Sequence, residues 1–346
     1  MFTTVPTAVP TTVPTAVPTA APVPETHYRY SQYLQEIFGE KTYKVVVASG
    51  LTCPTRDGTI AKKGCAFCDL RGSSSYFGKK GRGAGIQDQI KARIPGIRER
   101  FGVHKFLAYF QSYTNTYSDI EYLRGIYEEA LSQPEIQGLC IGTRPDCLPE
   151  PVIYLLEELA QKTYISLELG VQSFEDPTLD WLCRGHDRAC SLVALEQLQR
   201  LAPHVHVCVH LILGSPPDSP DAEKDAARLL NHYQVRGVKL HQLMVLEHTD
   251  LAERWKANPF PTLSIEEYAG RTLELIEHLS PSIYLERLCA TATHSDECLA
   301  PEWSRNRWKP HNDLRDFLIA RKCVQGRFVT PNVQVIEARG HGAGAG

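Results

Sequence analysis

Between residues 43 and 289, seven short apolar runs alternate with stretches that carry apolar residues at helical spacing, and this alternation constrains the fold more than any other feature. The strand-like runs are YKVVVAS (43–49), KFLAYFQS (105–112), GLCIGT (138–143), YISLELGVQS (164–173), HVHVCVHLILG (204–214), VKLHQLMVL (238–246) and IYLERLC (283–289). The spacing predicts helices over 84–101, 119–131, 149–162, 176–201, 222–234 and 264–279. In SDIEYLRGIYEEAL, Ser118 can cap, acids fill the first turn, and Ile120, Leu123, Ile126, Tyr127 and Leu131 share one face. Six βα units closed by a last strand require parallel strands joined by right-handed crossovers. Periodicity leaves an open doubly wound sheet and a full or partial barrel as alternatives. Either one puts chemistry at the C-terminal ends of the strands.

Polar residues gather at those ends. Gln111, Ser112 and Thr114 follow the second strand, and Thr143, Arg144 and Asp146 follow the third. Glu168, Gln172 and Ser173 end the fourth, His210 and Gly214 the fifth, and Lys239, His241 and Gln242 lie on the sixth. After the first strand comes GLTCPTRDGTIAKKGCAFCD (50–69), which brings Cys53, Cys65 and Cys68 into one loop. Small buried thiols are one reading, but Cys65 and Cys68 sit in a polar turn and not in an apolar strand. Structural zinc is a second, although zinc wants four ligands and the loop offers three. A four-iron cluster is the third: it takes one ligand per iron, so three thiolates leave one iron open to bind a substrate or cofactor.

The chain has 346 residues, 42% of them hydrophobic and 22% charged, with a net charge of −3, which describes an ordinary globular protein. It has no apolar run long enough to cross a membrane and no basic, apolar start of a signal peptide, so the expected location is the cytoplasm. Eleven cysteines, unevenly spaced and odd in number, argue for reduced thiols and metal ligation over a disulfide framework. The segment TVPTAVPT at 4–11 repeats unchanged at 12–19, and proline every four residues predicts an extended, disordered tail over 1–24. A flexible tail is also expected over 331–346.

One cysteine, eleven residues and then Cys-Ala-Phe-Cys resembles the radical S-adenosylmethionine enzymes. A closer resemblance is to their YhcC and YtqA-type subgroup, relatives of the catalytic subunit of Elongator. It is carried by CPTRDGT with GCAFC, YFQSYTNTY, GTRPDCLP, LELGVQS, RGHD, VHLILGSP and LAPEW, across residues 28–325. The resemblance implies a partial parallel (βα)6 barrel over 28–290 and a C-terminal extension over 291–330. It implies a 4Fe-4S cluster held by Cys53, Cys65 and Cys68, which cleaves S-adenosylmethionine reductively to a 5′-deoxyadenosyl radical. It also implies an electron donor such as flavodoxin or ferredoxin. Phe67 would pack beside the adenine. Gln111, Ser112 and Thr114 stand where the family has a Gly-Gly-Glu-like motif for the methionyl amine. Gln172 and Arg184 correspond to the contacts with the methionyl carboxylate, and His210 stands where relatives have an acidic ribose contact. Cys183 and Cys298 are candidate thiols on the substrate side.

Charge points toward the substrate. From Lys62 to Lys105 there are eleven Lys or Arg against three acids, including GKKGRG at 78–83. From 302 to 327 there are seven against three, with Trp303 and Trp308 interleaved. Basic stretches with aromatics suit a phosphate backbone and stacked bases, although charge runs are commonly just solvated. Together with the Elongator resemblance this makes tRNA, or another anionic substrate, the expected partner, with a wobble uridine as the leading site of modification. The alternatives are a radical enzyme acting on a small metabolite and a zinc-stabilised nucleic-acid-binding protein without catalysis.

Overall fold

The computed structural model describes residues 25–69 and 85–329. The proline-rich repeat, the GKKGRG segment and the closing tail lie outside the described residues. The elements run α1 (Tyr30–Phe38), β1 (Thr42–Val47), α2 (Ile86–Phe101), β2 (Lys105–Phe110), α3 (Ile120–Leu131), β3 (Ile136–Thr143), α4 (Glu150–Ala160), β4 (Tyr164–Gln172), α5 (Asp176–Trp181), α6 (Arg188–Leu201) and β5 (His206–Leu213). They continue with α7 (Ala222–His232), β6 (Gly237–Gln242), β7 (Val245–Leu246), α8 (Asp250–Ala257), α9 (Ile265–His278), β8 (Tyr284–Arg287), β9 (Cys298–Ala300) and α10 (Lys309–Ala320). None of the described helices is long and apolar enough to cross a membrane.

β1 to β6 and β8 form one sheet in chain order, with every neighbouring pair parallel. A doubly wound sheet needs its strand order to reverse at a switch point. Here it never reverses, so right-handed crossovers leave the connecting helices on one face and the sheet curls around the other. β1 and β8 remain edges and do not pair with each other, which makes the barrel partial, as the resemblance implies. Alternation sorts the residues: Val45, Phe106, Leu139, Leu167, Val209 and Leu240 point outward into the main core against the helices.

The inward face is different. At its N-terminal end α1 closes the barrel, with Tyr30, Tyr33 and Leu34 packed on Leu107, Cys140 and Tyr164. The same segment bridges toward the open edge, since Leu285 N–H donates to Tyr28 O at 2.8 Å. Tyr284, the first residue of β8, is fully buried and lies directly opposite Gly237 of β6. A Cβ at position 237 would fall 2.1 Å from the tyrosine ring, so only glycine admits it. Gly237→Ala is therefore expected to destabilise the fold by about 1–3 kcal/mol through overpacking. A urea unfolding curve with a lower midpoint and unchanged slope would show it.

Three expectations need correction. The helix predicted over 176–201 is two helices, because CRGHD intervenes and both Cys183 and Gly185 take positive φ. The run VKLHQLMVL leaves the sheet after Gln242, and Val245–Leu246 pairs antiparallel with Cys298–Ala300. Trp303 is not a free stacking surface: its Nε1–H donates to Leu263 O at 2.9 Å and its ring packs on Tyr268. Trp308, by contrast, is 67% exposed with the Arg307 guanidinium over its ring.

Candidate active site

The long gap between the first two cysteines is taken up by a loop that folds back on itself. Ile60 N–H donates to Pro54 O at 2.8 Å and Gly64 N–H to Thr55 O at 2.8 Å, which returns Cys65 to the neighbourhood of Cys53. The Thr55 hydroxyl lies 3.1 Å from Cys53 Sγ and 4.0 Å from Cys65 Sγ. Cys68 N–H then donates to Cys65 O at 2.9 Å, turning the CAFC segment. Arg56 ties the end of the loop by donating to the carbonyls of Cys68 and Asp69. The loop is docked through Ala66, whose N–H donates to Leu182 O and whose carbonyl accepts from Leu251 N–H, both at 2.9 Å.

All three thiols line one cavity of about 360 Å³, the size of a small-molecule site. Phe67, Gln111, Thr114, Gln172, Arg184 and His210 line it too. Ser112 does not: it is buried beside the cavity with its hydroxyl unpartnered. Neither Cys183 nor Cys298 reaches it either. Cys183 is exposed and accepts from Arg254 at 3.0 Å, and Cys298 is fully buried in β9.

Electrostatics concentrate on Cys65. Arg184 Nη1 lies 3.0 Å and Arg144 Nη1 3.5 Å from its sulfur. Burial pushes this thiol up, but the two guanidiniums outweigh it and hold it below its usual range. Burial pushes Cys68 up to about 11, only partly opposed by Arg56. Arg144 is fixed by a bidentate bond to Asp146, at 2.8 and 2.7 Å. Gln172 ends β4 with φ +73, a strained value for a residue with a side chain, of the sort that collects at functional sites.

Sequence reasoning placed Glu168 and Lys239 on the polar rim but missed Lys44 and Glu286, and with them the way the four pair beneath the cavity. Lys44 of β1, Glu168 of β4, Lys239 of β6 and Glu286 of β8 close a four-membered ionic ring inside the barrel. Lys44 bonds Glu168 Oε1 and, at 2.7 Å, Glu286 Oε2. Lys239 bonds Glu168 Oε2 and Glu286 Oε1, both at 2.8 Å. Tyr109 donates to Glu168 at 2.6 Å, and His210 Nε2 lies 2.9 Å from the same carboxylate. Burial and the Lys239 cation push His210 down, so its ring is neutral, with Nε2–H donating and Nδ1 left as an acceptor. The signal was a charge within each of four apolar strand runs, single in β1, β4 and β6 and beside Arg287 in β8, visible only when the strands are compared with one another.

Among the described residues no three His, Cys, Asp or Glu side chains converge on a point that a single metal ion would occupy. A zinc site needs that single centre, whereas a cluster presents a separate iron to each thiolate. Two further features fit a cofactor carrying an amino acid group. The Thr114 hydroxyl and Arg184 Nε are buried and have no hydrogen-bond partner, which is rare for such atoms.

The sequence profile of the radical SAM superfamily matches residues 58–256, and that of a radical SAM C-terminal domain matches 235–319. YtqA of Bacillus subtilis strain 168 is 32% identical over 297 residues, covering 86% of this chain and 90% of that protein. A tRNA uridine(34) acetyltransferase of Methanocaldococcus infernus is 31% identical over 133 residues, 38% of this chain and 24% of that protein. Among solved structures, the Elp3 of M. infernus with an N-terminal deletion superposes with a TM-score of 0.60 at 20% identity. That match covers 82% of this chain but less than two thirds, 64%, of the archaeal one, and shares the fold.

Proposed function

This chain belongs to the radical SAM superfamily and is a radical SAM enzyme; from that premise we propose that it holds a 4Fe-4S cluster on Cys53, Cys65 and Cys68 and acts on a tRNA base, with a wobble uridine as the leading candidate. When bound, the reduced cluster supplies the electron that cleaves S-adenosylmethionine to a 5′-deoxyadenosyl radical, cofactor chemistry that the protein positions and shields from water. The observation that carries the reading is that three thiols, and no fourth from their loop, face a cavity with unpartnered buried donors. Arg184 and Gln172 would hold the methionyl carboxylate, and Gln111 and Thr114 the amine. Ser112, off the cavity, supports that wall from behind. Phe67 would lie along the adenine, and His210 would offer Nδ1 to a ribose hydroxyl. A flavodoxin or ferredoxin would supply the electron.

Support for tRNA comes from the uridine(34) enzymes among the relatives, from the archaeal Elp3 fold and from exposed, Arg-stacked Trp308. The test has two parts. Protein purified anaerobically should contain iron and sulfide near four of each per chain, as the cluster type requires, and form 5′-deoxyadenosine under reductant. Modified-nucleoside profiles of tRNA from cells with and without the gene should differ at one species. A zinc-rich, colourless protein would overturn the cluster, and identical profiles would overturn the tRNA substrate in favour of a small metabolite.

A further inference from the structure

Four guanidiniums line the cavity, and three are committed to the protein. Arg56 serves the carbonyls of Cys68 and Asp69, Arg144 serves Asp146, and Arg184 serves Cys65 and Gly170 O. Arg287, the last residue of β8, is different. Its Nε donates to Leu240 O at 3.2 Å, which fixes the plane of the fork, while its two terminal nitrogens have no partner among the described residues.

Its surroundings explain why none of the described residues neutralises it. Lys239 sits opposite it in the β6–β8 register, but the two nearby carboxylates, Glu168 and Glu286, already bond both lysines of the ring. His241 donates Nδ1–H to Gln242 O at 2.6 Å, and burial together with the Arg287 cation holds its pKa down to about 3. It is therefore neutral and can bond to the fork but cannot balance its charge. The loop after β8 adds the Thr291 and Thr293 side chains to the same lining. A half-buried cation without a counterion is costly, and a planar fork with both ends unused suits an oxyanion bound through two parallel hydrogen bonds.

We infer that Arg287 is the receptor for an oxyanion carried by the substrate, a phosphate or a carboxylate, at the wall of the cavity formed by β6, β8 and the loop after β8. The inference deepens the proposed function, on which it rests for treating this cavity as the reaction chamber. The group bound at Arg287 orients the substrate and does not itself react.

The experiment is a thermal-shift titration of the full chain with inorganic phosphate and with acetate at constant ionic strength, using chloride as the control. Wild-type protein is expected to be stabilised by at least one of the two oxyanions beyond chloride. Arg287→Gln should weaken that response by about tenfold or more, and Arg287→Lys, which keeps the charge but loses the fork, by a smaller factor. A preference for phosphate identifies a nucleotide source and a preference for acetate a carboxylate metabolite, and both support the receptor. An equal response in wild type and Arg287→Gln, or no oxyanion response in wild type, overturns it. If Arg287→Gln fails to fold, Arg287→Lys carries the comparison, and a response equal to that of wild type has the same consequence. A parallel titration with S-adenosylmethionine separates the failures: wild type that does not bind it loses the proposed function, whatever the oxyanion result.

Discussion

Cys68→Ala, purified and reconstituted anaerobically beside the wild type, is expected to lose the brown cluster absorbance and to form 5′-deoxyadenosine at less than about a thousandth of the wild-type rate. Cys68 is the best of the three thiols for this test because of what surrounds it. Cys65 receives Arg184 and Arg144, so removing its sulfur would strand buried guanidiniums and disturb the fold as well as the ligand set. Cys68 is only half-buried, its sulfur lies a long 3.6 Å from Asp69 O, and the Arg56 guanidinium beside it keeps its bonds to the Cys68 and Asp69 carbonyls when the sulfur is removed. The apo variant should therefore unfold within about 1 kcal/mol of the apo wild type, which separates loss of a ligand from loss of the structure. Iron content and activity that persist in Cys68→Ala would show that Cys68 is not a ligand. Loss of iron together with a collapsed unfolding midpoint would mean instead that the loop is structural.

The βα repeat was legible in the sequence because each unit announces itself locally, whereas the choice of a partial barrel over a doubly wound sheet came only from the family resemblance. An apolar run followed by an amphipathic stretch is a pattern that needs no knowledge of the rest of the chain. The three-thiol loop was legible for the same reason, since its spacing is local even though its closure depends on Thr55 and Arg56. What was not legible is non-local. The break at CRGHD hides because Leu179 and Leu182 keep helical spacing up to the turn that aims Arg184 at Cys65. Trp303 reads like Trp308 in the sequence, and only tertiary packing separates a ring on Tyr268 from an exposed one. Arg287 and the ionic ring belong to strands far apart in the chain, and no window on one strand contains both a charge and its partner.

The ring makes the second large prediction. Glu168→Gln is expected to lower stability at neutral pH by about 3–5 kcal/mol, the usual cost of breaking a buried ion pair by removing one partner. Glu168 bonds both lysines, so the variant leaves Lys44 and Lys239 to share Glu286 alone. The pH dependence identifies the cause. Burial raises the Glu168 carboxyl, but Lys239 and Lys44 outweigh it and hold it well below the usual carboxylate range. A folded-state value below the unfolded one means stability that is present above about pH 4.3 and is lost as pH falls through the folded value. Burial pushes Lys239 down, but Glu168 and Glu286 push it further up, so its contribution holds through neutral pH and fades only on the alkaline side. Wild-type stability should therefore stay flat around neutrality and fall below pH 4, and the glutamine variant should start lower and lose less on the acid side. Urea midpoints measured at several pH values decide it. If the two acid limbs run parallel, Glu168 is not the group whose charge holds the open edges of the barrel together through Lys44 and Glu286.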